Sequence, residues 1–431
     1  MRITRVVIWL LAGGLFSGAT ALSAAPAKLS ASGSYWGGVE YEGGDTAVNR
    51  VSLQAQLKKR WGRALQLDVE LGIDASEDRA GLGTTSNYAP LSKPLLRTEH
   101  VRGQIERATL RYRHEDFSII LGKQALAWGV LDGLRVADRA GPVRRRDFVL
   151  SEQRPERLGR WGVRARSDIG STSIDVAAFF DNTADQAPTL GSAFFPSAPR
   201  SLGGFDGRAL ATVTEFAVAD RGHGLAQTTW AMRLARRIGA FDVQLIGLHG
   251  PDTEPLIAPL SAREIELRFP TRSLAALSLQ RSLGSTVVRF EAAYIPDQSV
   301  NLATPGQHDQ VGRLLAGVGL DFRILGGWFV NAQLGLDQLE GNAVAYAQPD
   351  TQLVATLRAQ RSFVQDRLRL KAEFIGSPID SDGYFGASMA WQVNDSVKAA
   401  IGTDLLFGDE TDLFGQFENR SRAWIRLTYS P

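Results

Sequence analysis

The sequence predicts an all-β protein, a transmembrane antiparallel β-barrel of about 18 strands with long extracellular loops and one inward-folded constriction loop. Three observations predict it. Apolar and polar residues alternate with period two in segment after segment, the segments run about 10 to 13 residues, and their connections alternate between very short and long. In Arg63 to Ile73 the residues Leu65, Leu67, Val69, Leu71 and Ile73 share one parity, against Gln66, Asp68, Glu70 and Gly72 on the other. From Asp366 to Phe374 the same contrast sets Leu368, Leu370, Ala372 and Phe374 against Arg367, Arg369, Lys371 and Glu373. A helix, turning about 100° per residue, would scatter such apolar residues over every side. A soluble sandwich also accepts alternation. The barrel is favoured because a tilted strand needs about 9 to 11 residues to cross the hydrocarbon, and because the polar parity carries full charges at successive positions.

The chain opens with Met1, Arg2 and Arg5, then an apolar run from Val6 to Phe16 and small residues through Ala27. This is the pattern of a secretory signal peptide; the run falls short of the roughly 20 residues of a membrane-spanning helix. Ala21-Leu22-Ser23 and Ala25-Pro26-Ala27 both fit a small-x-small cleavage site. The expected division is a signal peptide over 1–25 and an outer-membrane barrel over 26–431. The absence of cysteine excludes disulfides, thiolate catalysis and Cys-ligated metals. A formal net charge of +2, with 22% charged residues, does not point to nucleic acid.

Strands are expected near 32–42, 49–60, 63–75, 102–113, 116–126, 159–168, 171–181, 226–237, 240–250, 272–282, 285–295, 311–322, 327–339, 351–362, 366–376, 382–392, 395–406 and 421–430. Tight turns join the second to the third, the fourth to the fifth, and so on to Asn394-Asp395. Among the other connections, 76–101, 127–158, 182–225, 251–271, 296–310 and 407–420 are long. Short periplasmic turns and long outer loops put both termini in the periplasm and require an even strand count. The last segment, AWIRLTYSP, turns Ala423, Ile425, Leu427 and Tyr429 to one face. Tyr429 stands two residues before the end, where outer-membrane barrels usually present a terminal aromatic to the assembly machinery. Tyr35, Trp36, Trp61, Tyr112, Trp161, Trp328, Trp391 and Trp424, near strand ends, are expected in interfacial girdles.

The segment LGKQALAWGVLDGLRVADRAGPVRRRDFVLSEQRPER, Leu121 to Arg157, leads from a strand into a dense mixture of charges. Its loop, Ala127 to Leu158, holds Arg135, Arg139, Arg144, Arg145, Arg146, Arg154 and Arg157 beside Asp132, Asp138, Asp147, Glu152 and Glu156. Guanidinium groups pair rigidly with carboxylates, so this composition suits a loop folded inward and pinned to a charged wall. Asp132, Arg135, Asp138, Arg139, Arg144, Arg145 and Arg146 are the candidate constriction, with the two aspartates expected to hold the arginines. By parity, Asp68, Glu70, Arg107, Arg111, Arg160, Arg164 and Arg166 form the facing lumen wall. Arginines in a narrow pore favour anions. Lys123 shares the lipid-facing parity of Phe117, Ile119 and Leu121, so the strand must bulge or end near Gly122.

The residues Gly122-Lys123-Gln124, Trp128-Gly129, Asp132-Gly133-Leu134-Arg135 and Asp138 resemble the signature of a proteobacterial family of outer-membrane porin-like barrels. The Asn-Pro usual in that signature is replaced by Gly141-Pro142, with Asp147 beyond an arginine run. Barrel size and an arginine-rich lumen are similar in architecture to alginate-export porins. The resemblance implies the outer membrane of a Gram-negative bacterium, with membrane lipid, the assembly machinery and small solutes as partners; a homo-oligomer is left open.

No catalytic, metal or cofactor motif stands out. The histidines are His100, His114, His223, His249 and His308; His114-Glu115-Asp116 reads as a hairpin tip, and His223 lies in a glycine-rich stretch with no Ser or Asp partner at a recognised spacing. Gly203 to Gly207, GGFDG, reads as an outer turn rather than a phosphate cradle. The expectation is therefore a channel without enzymatic activity or cofactor, passing small anionic solutes by diffusion. Export of an anionic polysaccharide is the alternative, as is a channel for hydrophobic compounds entered past Phe194, Phe195 and Phe205.

Overall fold

The computed structural model describes residues 26–431 other than 79, 84, 151–155, 187, 190, 196–214, 220–224, 260, 262, 305 and 342–345. Every alternating segment forms a strand, from Lys28–Glu40 (β1), Thr46–Trp61 (β2) and Leu65–Ser76 (β3) to Val101–His114 (β4) and Phe117–Gln124 (β5). Arg160–Ile169 (β6), Thr172–Phe179 (β7), Thr229–Ile238 (β8), Phe241–Pro251 (β9), Thr271–Leu283 (β10) and Thr286–Asn301 (β11) follow. The remainder are His308–Ile324 (β12), Trp328–Leu339 (β13), Thr351–Phe363 (β14), Leu368–Gly376 (β15), Gly383–Gln392 (β16), Val397–Phe407 (β17) and Arg422–Tyr429 (β18).

Each strand pairs antiparallel with the next, and β1 closes on β18 from Gly33 opposite Tyr429 to Glu40 opposite Arg422. Closure leaves no edge, so the ladder satisfies the backbone N–H and C=O groups that lipid could not. No helix among the described residues is long and apolar enough to cross a membrane; the crossing elements are strands. Tight turns on one rim place Gly62, Gly170, Gly239 and Gly284 at φ of 59° to 61°, the left-handed region that costs glycine little. Both described ends of the chain lie at that rim: Lys28 pairs with Lys58, near the β2–β3 turn, and Tyr429 with Val397, near the β16–β17 turn.

The parity of the sequence sorts outside from inside. Leu71, Ile73, Leu110, Tyr112, Leu121 and Val163 stand exposed on the outer face. Ile425, Leu427 and Tyr429 do the same on β18, as expected, while Arg422 and Trp424 turn inward and are buried. This corrects the assignment of Trp36 and Trp424 to a girdle. The two rings meet edge to face inside the barrel at 6.3 Å, with Arg422 and Arg426 at 4.6 and 4.3 Å from the Trp36 ring. A register shift between Glu70 and Leu71 leaves Glu106 as an extra residue in β4, so Arg102 and Gln104 before it and Arg107 after it all reach the inside. In β5 the chain takes φ of 117° at Gly122, and Lys123 beyond it is buried, which resolves its conflict of parity.

The inside is not uniformly polar. Phe179, Ile246, Leu274, Ile295 and Leu315, on β7 and β9 to β12, form an apolar arc covered by Leu126, Trp128 and Val136 of the long β5–β6 connection. The apolar–polar alternation is lost there because both parities are apolar for different reasons, one for lipid and one for a packed loop.

A loop docked across the barrel

Between β5 and β6 the described residues 125–150 and 156–159 fold onto the inner wall. Glu291, in the middle of β11 and 1% exposed, receives the backbone N–H of Leu131 at 3.3 Å and of Ala137 at 3.0 Å, together with that of Val130 and the Ser278 hydroxyl at 3.3 Å. Three backbone donors converging on one carboxylate are charge-assisted hydrogen bonds in a place closed to water, so they fix the loop strongly. Gly129 reaches this point at φ of 130°, where a Cβ would stand 2.9 Å from the Glu291 Oε1. A side chain there would push the loop off its anchor. Trp128 is buried beside it with the Arg233 guanidinium 5.6 Å from its ring centre, a cation–π pair.

The next turn of the loop fits sockets in β12 and β13. A Cβ on Gly317 would lie 2.6 Å from a Leu131 methyl, one on Gly319 2.8 Å from the other, and one on Gly335 3.1 Å from Leu134. These glycines are holes on the inner wall, and the leucines of Leu131-Asp132-Gly133-Leu134 fill them. At the far end Phe148 and Leu150 pack with Phe194 of the β7–β8 connection and with Tyr384, Leu406, Phe414 and Phe417, from β16, β17 and the β17–β18 connection. The loop is thus anchored on two separate arcs of the wall. Between the anchors, Val143–Arg144 pairs with Glu156–Arg157 as a two-residue ribbon.

The candidate constriction residues enter several separate clusters of paired charges, with partners that differ from expectation. Arg135 donates to the carbonyls of Asp138, at 3.0 Å, and Gly141, at 2.7 Å, folding the loop on itself. Arg139 reaches Glu254 at 3.1 Å, and Arg145 bridges Asp185 at 2.7 Å and the same Glu254 at 3.0 Å. Arg144 pairs with Glu156 and with Glu106 at 3.4 Å, and Arg146 with Asp147 at 3.2 Å. Asp147 also takes a two-pronged contact from Arg50 of β2 at 2.8 and 2.9 Å. The expectation that Asp132 and Asp138 hold these arginines is corrected. Asp138 binds Arg157 and the Trp128 N–H, while the Asp132 side chain is 60% exposed and 3.8 Å from Arg289. The cause is reach: the docked loop brings Arg139 and Arg145 to Glu254 and Asp185 of other connections, and Arg144 and Arg146 to Glu156 and Asp147 further along the loop itself. Arg154 lies outside the described residues.

Charge balance follows from this packing. Burial pushes the Asp147 carboxyl up, but Arg50 and Arg146 outweigh it and hold it well below the usual carboxylate range. For Glu254 burial is likewise overcome, here by Arg139, Arg145, Arg313 and Arg272. The expected wall residues face inward as well. Arg107 lies 3.4 Å from Asp68 and 3.3 Å from Glu70; Arg164 and Arg233 share the buried Asp175; Arg160 donates to Thr229 at 3.0 Å and to the carbonyl of Ala140. Arg111 stands beside Arg113 and Arg164 with no ion pair among the described residues, and Arg166, half exposed, lies 3.6 Å from Asp168.

Glu291, Glu254, Asp185 and the three socket glycines were not singled out from sequence. One signal for the first was present: Glu291 is a lone carboxylate on the parity of Ala293 and Ile295, where a charge needs a specific partner.

Beside the loop the lumen keeps a cavity of about 670 Å³. The loop side presents Arg144, Arg146, Asp147, Glu156 and Arg157. On the barrel side β17 and β18 contribute Lys398 and Arg426, β2 contributes Arg50, and β3 and β4 contribute Glu70, Asp74, Glu106 and Arg107. Seven basic groups therefore face five acidic ones.

No curated protein matches this sequence. Among solved structures the barrel is similar to Acinetobacter baumannii OccAB1, with a TM-score of 0.51 and 11% identity over 94% of this chain and 95% of the other. OccAB2 of the same organism gives 0.51, 11%, 94% and 98%. Pseudomonas aeruginosa OccK11 (OpdR) gives 0.51, 9%, 94% and 95%. The likeness is one of fold, that of Gram-negative outer-membrane porins, and the closed 18-strand barrel is an outer-membrane protein whose apolar outer face meets lipid. Residues 22–398 match the model of the family described as "Protein of unknown function (DUF1302)", and the chain belongs to that family.

Proposed function

We propose that the protein is a channel for passive diffusion of small anionic solutes, narrowed by the loop Ala127 to Leu158, with residues 1–25 removed as a signal peptide. The observation that carries this reading is the residual charge of the cavity beside the loop. Each of its five carboxylates already has an arginine partner: Glu70 with Arg107, Asp74 with Arg102, Glu106 and Glu156 with Arg144, and Asp147 with Arg50. Lys398, on the same wall, has no ion-pair partner among the described residues, and the Arg426 guanidinium lies 4.3 Å from the Trp36 ring centre and 5.5 Å from that of Trp424. A solute entering this space therefore meets a net positive field between low-dielectric walls, which concentrates anions.

On this reading the constriction arginines Arg135, Arg139, Arg144, Arg145 and Arg146 hold the loop in place, and Lys398, Arg426 and Arg107 meet the solute. The test is the reversal potential of refolded protein in a planar bilayer under a KCl gradient, beside Lys398→Gln/Arg426→Gln. Anion selectivity that falls in the variant while conductance persists is the expected result. Absence of conductance in the native protein overturns the channel, and cation selectivity overturns the choice of solute.

A further inference from the structure

The wall of the same cavity has a second chemistry that ion selectivity alone does not require. Strand register places Lys398 opposite Thr428, Thr428 opposite Ser34, and Ser34 opposite Ser52. One step along, Ser32 faces Gln54, and on the other side Arg426 faces Trp36. All line the cavity of about 670 Å³. Directly opposed residues of neighbouring strands have Cβ atoms about 4.5–5.5 Å apart. The row is therefore a continuous strip of hydroxyl and amide groups with two cations at one end. Ser52 donates to Asp74 at 2.7 Å, whereas Ser32, Ser34, Gln54 and Thr428 form no side-chain hydrogen bond within the described residues. Their donors and acceptors are turned to the open space, in a lumen where most other polar side chains are paired.

Resting on the channel reading above, we infer that this face is a subsite for a small polyhydroxylated carboxylate, a sugar-acid-like solute. Its carboxylate sits at Lys398, and its hydroxyls lie along Thr428, Ser34 and Ser52. A hydroxyl group both donates and accepts, as do Ser and Thr, so the strip can replace the solute's water shell group by group. An unsubstituted fatty carboxylate of equal length would keep the ionic contact but leave the strip unmatched. An uncharged polyol would keep the strip and lose the ionic contact.

The experiment is block of chloride current through the native channel in a planar bilayer by gluconate, hexanoate and sorbitol, with reversal potentials recorded in the same membranes. Gluconate is expected to halve the current at a concentration roughly tenfold below that of either other probe, about the worth of one or two net hydrogen bonds. Ser34→Ala/Thr428→Val should bring gluconate to the level of hexanoate, and Lys398→Gln should weaken both acids. Equal block by gluconate and hexanoate in an anion-selective native channel overturns the subsite and leaves the channel reading intact. A native protein without anion selectivity overturns that reading, and the subsite with it.

Discussion

The carboxylate of Glu291 accepts the backbone N–H of Ala137 at 3.0 Å, joining two points 154 residues apart in the chain. With the N–H groups of Val130 and Leu131 on the same side chain, it makes a single β11 residue the anchor of the inward loop. In Glu291→Ala three backbone donors, the buried one of Ala137 among them, lose their acceptor, and leaving a buried donor unpaired costs about 1–3 kcal/mol. The loop should detach, trypsin should cut between Arg135 and Arg146 in folded protein, and single-channel conductance should rise. Glu291→Gln, which keeps one oxygen acceptor, should fall between. A loop that remains as protease-resistant as in the native protein would show that the apolar contacts alone hold it.

The glycine sockets offer an independent way to lift the loop. Gly335→Leu fills the hole occupied by Leu134, and Gly317→Leu the one occupied by Leu131, whereas a Cβ at Gly247 meets nothing within 4 Å. Overpacking a filled site costs about 1–3 kcal/mol. Both socket variants should lower the thermal midpoint and widen the channel, and Gly247→Leu should do neither. Equal behaviour of all three in conductance and melting would remove the sockets from the account.

Comparison of these anchors with the sequence shows what local pattern can convey. Period-two alternation is written in each segment separately, so the eighteen strands and the inward parity of Asp68, Arg107 and Arg164 were legible residue by residue. The partners of the loop were not, because they arise only after closure. Arg145 and Glu254 lie 109 residues apart and meet through loops from different strand pairs. Nearness in sequence misled for Asp132, whose neighbours in the chain turn away from it once Leu131 and Leu134 enter their sockets. Phe179, Ile246 and Leu315 gave no sign of facing inward, since an apolar residue on the lumen parity has meaning only once a loop is there to cover it.

The acid side of the stability profile reports the paired carboxylates. Glu254 is held well below the ordinary carboxylate range, so in the folded protein it stays ionised after an unfolded-state glutamate, near pKa 4.3, has taken its proton. A depressed folded-state value stabilises fully above the unfolded pKa, and this contribution is lost as pH falls through the folded one. Glu254→Gln should therefore melt lower than the native protein at pH 7, and the gap should narrow steadily below about pH 4. A gap independent of pH down to strong acid would mean that the glutamine acts through packing rather than through lost charge.

Two sets of basic residues near the cavity should separate by their effects. Arg144 is 6% exposed in its side chain and engages Glu156 and Glu106, so Arg144→Gln strands two carboxylates in a poorly hydrated place. Breaking a buried pair by removing one partner costs about 3–5 kcal/mol; Glu156 at 26% and Glu106 at 24% keep some water, which puts the expected loss nearer 2 kcal/mol. Lys398 has no ion-pair partner to strand among the described residues, and Lys398→Gln should leave the stability within about 0.5 kcal/mol of native. Selectivity should respond in the opposite order. Arg144→Gln changes a charge already compensated by Glu156, whereas Lys398→Gln removes one that faces the solute directly. Melting in detergent and reversal potential in a bilayer, measured on both variants, decide the matter. If Arg144→Gln shifts the reversal potential more than Lys398→Gln while remaining as stable, the guanidinium belongs to the conducting path rather than to the scaffold that shapes it.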